Sequence, residues 1–162
     1  MQACVRVGAA ADAALLDAWL TARAPLPVPE ARARRLSLEA LLAQGGHGIC
    51  LIAEQEARGE PGPRAVQALL PVTLVHSLST GGRAALAIEW WAPPAADAAA
   101  GPAPKWLAAC CGVLADWCRA HGIRHALLAP GLVPDRHPPA GFAAGSDGLW
   151  HRCLVPTPKR LG

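Results

Sequence analysis

Six apolar residues, Trp106, Leu107, Cys110, Val113, Leu114 and Trp117, recur at helical spacing until Gly122 stops the pattern. That stripe predicts the strongest amphipathic helix in the chain. It lies between two segments of strand character, residues 84–91 before it and 123–128 after it. By then most of a sheet is built, so the helix must cross over it and return the chain to the sheet. The constraint selects an α/β domain.

The segments before the helix fit the same plan. Residues 3–7 alternate as a short strand, and Gly8 lets the chain turn into an alanine-rich stretch. Leu15, Leu16, Trp19 and Leu20 predict a helix over 12–22, with Asp12 at its N-terminus, where an acid is favourable. The prolines at 25, 27 and 29 forbid its continuation, and Pro29 can open a second helix carrying Leu36, Leu38, Leu41 and Leu42 as far as Gly45-Gly46. Residues 48–54 and 65–76 read as a hairpin, with an edge, bulge or bend expected at Pro71, which lacks an amide donor. After the turn at Ser79-Thr80-Gly81-Gly82, residues 84–91 complete a three-strand meander. Residues 92–104 form a Pro/Ala/Gly loop, 130–148 are turn-rich, 149–155 supply a last strand, and 156–162 read as a loose tail.

At 162 residues and 16.7 kDa the chain is expected to be a single domain over 1–162, with its core in about 3–155. A hydrophobic content of 52% against 17% charged residues rules out a solvated, disordered chain. The net charge of +3 steers nucleic acid only if clustered, and the one cluster, Arg32, Arg34 and Arg35, has no interleaved aromatics and reads as a solvated helix surface. No nucleic-acid partner is expected. The longest apolar stretch, 65–75, holds Gln67 and Pro71 and falls short of the ~20 residues a membrane span needs, so no membrane partner is expected. The six cysteines form no C-x-x-C pair and the N-terminus carries no signal-peptide pattern, which together point to a reducing cytoplasm with all six packed as small hydrophobes. No metal site is expected, because Gly122 interrupts the i, i+4 pair His121 and His125.

The order strand, two helices, three-strand meander, loop, long helix, strand, Gly141-Phe142 turn and strand resembles the GNAT N-acetyltransferase superfamily over residues 3–155. The resemblance implies a mixed, mostly antiparallel central sheet flanked by helices, with the strands at 84–91 and 123–128 splayed into a V-shaped cleft. It implies acetyl-CoA or another acyl-CoA as cofactor, its pyrophosphate held by backbone amides where the loop enters the long helix, at the positive end of the helix dipole. The family's loop pattern, Gln/Arg-x-x-Gly-x-Gly/Ala, falls here on Ala98-Ala99-Ala100-Gly101-Pro102-Ala103. Gly101 and Ala103 match it, Ala98 replaces the first residue, and Pro102 and Pro104 each lack an amide. Lys105 is the nearest cation, read either as a phosphate ligand or as an exposed helix-start lysine.

Acetyl transfer to an amine needs a base for the attacking nitrogen and an acid for the leaving thiolate. Glu89, near the end of the strand before the loop, stands where family members often place the base, although an ion pair with Arg83 or Arg124 would equally explain it. The family's usual acid is a tyrosine, and this chain has none. Trp90 and Trp91 must point to opposite faces of their strand, one into the core and the other free to line an acyl or substrate groove; Trp91 is the one assigned to the cofactor. The resemblance implies an acyl-CoA-dependent N-acyltransferase acting on a small-molecule or protein amine. The alternative is a non-catalytic binding or assembly module of the same fold, motivated by Ala98, the two prolines and the missing tyrosine. A homodimer through an exposed tryptophan or the last strand is compatible with either.

Overall fold

Seven strands form one sheet in the order β1-β2-β3-β4-β5-β7-β6 in a computed structural model that describes residues 3–56, 62, 64–93, 105–132 and 137–155. The strands are β1 Ala3–Val7, β2 Gly48–Gln55, β3 Ala65–Ser77, β4 Gly82–Ala87, β5 His125–Leu128, β6 Ala143–Ala144 and β7 Trp150–Cys153. The helices are α1 Ala13–Arg23, α2 Val28–Leu42 and α3 Lys105–Ala120. Every pairing is antiparallel except β4 with β5. That one parallel pair is the result of the α3 crossover.

Alternation along the strands divides the core in two. Ile49, Leu51 and Ala53 of β2, with Leu70, Val72 and Leu128, pack under Leu107, Cys110 and Leu114 of α3. Cys50, Ile52 and Leu69 pack on the other face under Leu16, Leu20, Leu38 and Leu42 of α1 and α2. β2 is buried on both faces, which explains its unbroken apolar run.

Several expectations are corrected. Leu15 and Leu36 are exposed, because the sheet covers only the Leu16/Leu20 and Leu38/Leu42 stripes. α2 ends at Leu42, before Gly45-Gly46, and Gln44 takes the left-handed turn at φ 53°. Of the cysteines, Cys50, Cys110, Cys111 and Cys118 are buried, Cys4 is half-buried and Cys153 is exposed, since it ends β7. Within the arginine cluster Arg32 is exposed and Arg35 Nε makes a surface i, i+4 pair with Glu39 at 2.7 Å, as a solvated helix face would. Arg34 departs from that reading: its Nη1 donates to the Ala24 carbonyl at 2.7 Å, capping α1. The ladder between β2 and β3 shifts at Ala53/Glu54, where Gln67 is the extra residue, while Pro71 sits in regular register with Cys50.

Pro71 still exerts the effect expected of it, on the neighbouring strand. Both the amide and the carbonyl of Leu69 bond Trp91, so two residues on the amide position of Pro71 also faces β4 and has no hydrogen to donate. Opposite it β4 leaves the ladder. From Leu86↔Thr73 to Trp91↔Leu69 the chain takes five steps on the β4 side against four on β3, a one-residue bulge over 88–90. The strand expected over 84–91 therefore ends at Ala87 and touches β3 again only at Trp91.

Candidate functional site

The bulge positions the candidate base. β4 and β5 pair as far as Ala87↔Leu128, the Ala129 amide donates to the Ala87 carbonyl at 2.9 Å, and then the two chains part. β4 bends toward β3, while β5 runs into a short helical turn at Pro130–Leu132. Glu89 lies on this bend. Its Oε2 accepts a hydrogen bond from Trp91 Nε1 at 3.0 Å, so the indole fixes the carboxylate two residues back. Neither Arg83 nor Arg124 forms an ion pair with Glu89 among the described residues.

Glu89 and Trp91 face α1 and α2, where Trp91 packs on that half of the core, while Trp90 packs on the α3 half. A cavity of about 80 Å³ lies between the helices and the bend, with Glu89, Trp91, Cys50, Pro71 and Arg34 among its walls. Burial, reinforced by the charge of Glu89, pushes the Cys50 thiol up to about 12, so it stays protonated there. A second, wider cleft of about 520 Å³ opens beside Trp90, Trp91, Ala92, Pro93, Ala22 and Arg23. The indole N–H of Trp90 is buried without an acceptor among the described residues.

Of the cofactor-binding residues expected from the sequence, Gly101 and Ala103 lie outside the described residues, and the Lys105 backbone opens α3. Trp91 is joined to Glu89, the candidate base. His121 stacks on Trp117 at 4.1 Å between ring centroids, and its Nδ1 lies 2.7 Å from the Trp117 carbonyl. Two features escaped the sequence reading. Arg34 stands at i−4 from Leu38 and i−8 from Leu42, a spacing that marks the inner face of α2. Glu54, at the end of the apolar β2 run, is buried and bonded by Arg6 of β1 at 2.7 Å, and Arg6 also bonds Asp12 at 2.8 Å. Those bonds hold Asp12 below the usual carboxylate range.

A seven-stranded mixed sheet, parted after one parallel pair and carrying a helix crossover, defines the class of fold. No family model and no curated protein sequence matches the chain. Solved structures do. An Escherichia coli GNAT-family N-acetyltransferase in complex with CoA aligns with TM-score 0.59 and 14% identity over 96% of this chain and 83% of its own. A predicted acetyltransferase with acetyl-CoA from Clostridium acetobutylicum gives TM-score 0.53 and 12% identity over 78% of this chain and 80% of its own. A ribosomal-protein-alanine N-acetyltransferase from Brucella melitensis gives 0.51 and 16% over 78% and 79%. The protein has the fold of the GNAT N-acetyltransferase superfamily.

Proposed function

We propose that this protein is an acyl-CoA-dependent N-acyltransferase that transfers an acetyl group to an amine, with Glu89 as base. The observation that carries this reading is the placement of Glu89. The carboxylate is held by Trp91 on the bend where β4 leaves β5, with a cavity on one side and the wider cleft beside Trp90 and Trp91. The cleft fits an acyl-CoA arm in that its indole walls are flat and apolar. Trp90 and Trp91 would line that arm, and Gly101, Ala103 and Lys105 would meet its phosphates. The thioester supplies an activated carbonyl carbon.

Glu89 accepts the proton that the attacking nitrogen loses as the C–N bond forms and the C–S bond breaks. Trp91 keeps the carboxylate oriented toward the cavity. With no tyrosine in the chain, the departing thiolate takes its proton from solvent.

Titration with acetyl-CoA by calorimetry, paired with thermal melting, tests the reading, because specific binding must raise stability by linkage. Absence of both signals at millimolar ligand would refute it. Given binding, Glu89→Gln should lower turnover by roughly 10²–10⁴-fold with little change in acetyl-CoA affinity. Binding without turnover of any amine would favour the non-catalytic module, which the substitutions Ala98, Pro102 and Pro104 in the loop motivate.

A further inference from the structure

The cavity lined by Glu89 is also lined by a cation, Arg34, that no acid pairs with among the described residues. Arg34 reaches from α2 toward the end of α1, where Nη1 donates to the Ala24 carbonyl at 2.7 Å and Nη2 to Thr21 Oγ1 at 3.2 Å. Both partners are neutral. The third donor, Nε, is buried and has none. Of the carboxylates on α1 and α2, Glu39 and Asp17 are taken by Arg35, at 2.7 Å and 3.5 Å, and Glu30, one turn before Arg34 on α2, forms no ion pair with it among the described residues. The acid that shares the cavity with Arg34 is Glu89, and the two form no ion pair.

Arg34 Nε is shielded without a partner and the exposed Glu89 does not reach it, so two opposite charges share one small cavity and forgo any pairing energy. A ligand carrying both complementary charges would recover it. We propose that the cavity takes the head of a small amino acid, its carboxylate on Arg34 and its amine toward Glu89. This rests on the acyltransferase reading for what then happens to the amine, but not for binding. The forked bonds to Ala24 and Thr21 serve α1 and also hold the guanidinium fixed, so that its other N–H groups are pre-oriented for an anion. Ser37, one turn along α2, also lines the cavity and offers a hydroxyl to the same carboxylate. The remaining walls, Leu38, Leu69 and Pro71 among them, are apolar, and about 80 Å³ admits little beyond the charged head. A longer side chain would have to extend outward past Trp91.

The test compares amines that differ only by the carboxylate: glycine with methylamine, β-alanine with ethylamine, and γ-aminobutyrate with propylamine. Binding to the whole protein is followed by NMR titration, so acetyl transfer is not required. At least one carboxylated member should bind ten or more times tighter than its partner. Arg34→Met and Arg34→Gln should erase that ratio while leaving the plain amine unchanged, a result that loss of helix capping alone would not give. Equal affinities within every pair, no binding by any of the six, or a ratio that survives in a folded Arg34 variant overturns the proposal. The wild-type comparison decides even if neither variant folds. Failure of acetyl-CoA to bind, with the carboxylate preference intact, would sink the acyltransferase reading alone.

Discussion

Removing the Arg6 side chain should leave Glu54 as a buried charge without its partner. Arg6 donates to Glu54 Oε1 through Nε at 3.1 Å and Nη2 at 2.7 Å, and to Asp12 through Nη1 and Nη2 at 2.8 Å each. The Glu54 side chain is 7% exposed and that of Asp12 15%, whereas Arg6 is 35% exposed. Breaking a buried pair by deleting one member costs about 3–5 kcal/mol. Water reaches this network through the arginine side, so Arg6→Met, which keeps the apolar stem, should fall at the low end, about 3 kcal/mol. For a domain of this size that lowers Tm by roughly 6–12 °C.

Urea unfolding followed by circular dichroism at pH 7 measures the loss. Arg6→Met with Glu54→Gln should regain most of it, because the second change removes the unpaired charge. The acid limb provides an independent check. Asp12 is held below its ordinary value of 3.8, chiefly by the Arg6 hydrogen bonds, so its stabilisation is complete above that value and fades as pH falls through the folded value. In Arg6→Met that part of the acid limb should flatten. A loss under about 1 kcal/mol, or no recovery in the double variant, would refute the assignment of Arg6 and Glu54 as a coupled buried pair.

Three further outcomes follow from particular contacts. Gly48 has φ +150°, and a Cβ there would lie 2.0 Å from the Val72 carbonyl oxygen, so Gly48→Ala should destabilise by about 3 kcal/mol or more in the same urea assay. Trp91→Phe keeps an aromatic side chain, smaller than the indole, but removes the N–H bonded to Glu89; it should lower kcat about threefold to tenfold with KM for the amine nearly unchanged, measured by thiol release. With burial as the main cause, the thiols of Cys50, Cys110 and Cys111 are pushed up to about 12 and that of Cys118 to about 11, so they remain protonated at neutral and mildly alkaline pH. Iodoacetamide at pH 8 should therefore label exposed Cys153 well before those four, as read by peptide mass spectrometry.

The elements legible in the sequence are those whose periodicity and punctuation act locally. The α3 stripe and its stop at Gly122 with φ +70°, the β2–β3 hairpin and the turn through Gly81 with φ +77° lie where the spacing puts them, and α2 starts at Val28, one residue before the expected Pro29. Trp90 and Trp91 do lie on opposite faces, as alternation predicts, although they sit at a bulge beyond the end of β4. Pro71 was legible as a defect, but its location was not. A missing amide hydrogen affects whichever strand that amide faces, and only the register of β3 against β4 decides that.

Local pattern determined the order of helices and strands, the crossover, and Glu89 as the acid nearest the end of the fourth strand. Tertiary structure alone decided what Glu89 meets: Trp91 as its hydrogen-bond partner, a bend in place of a continuous strand, and a cavity shared with Arg34. It also decided that Arg34, part of a cluster that reads as helix surface in sequence, caps the end of α1, and that Arg6 meets Glu54 at the β1–β2 edge. The physical reason is range. Propensity, capping and alternation act over a few residues, whereas a charge acquires its role from groups such as Glu54, 48 positions from Arg6, that only packing brings within hydrogen-bond distance.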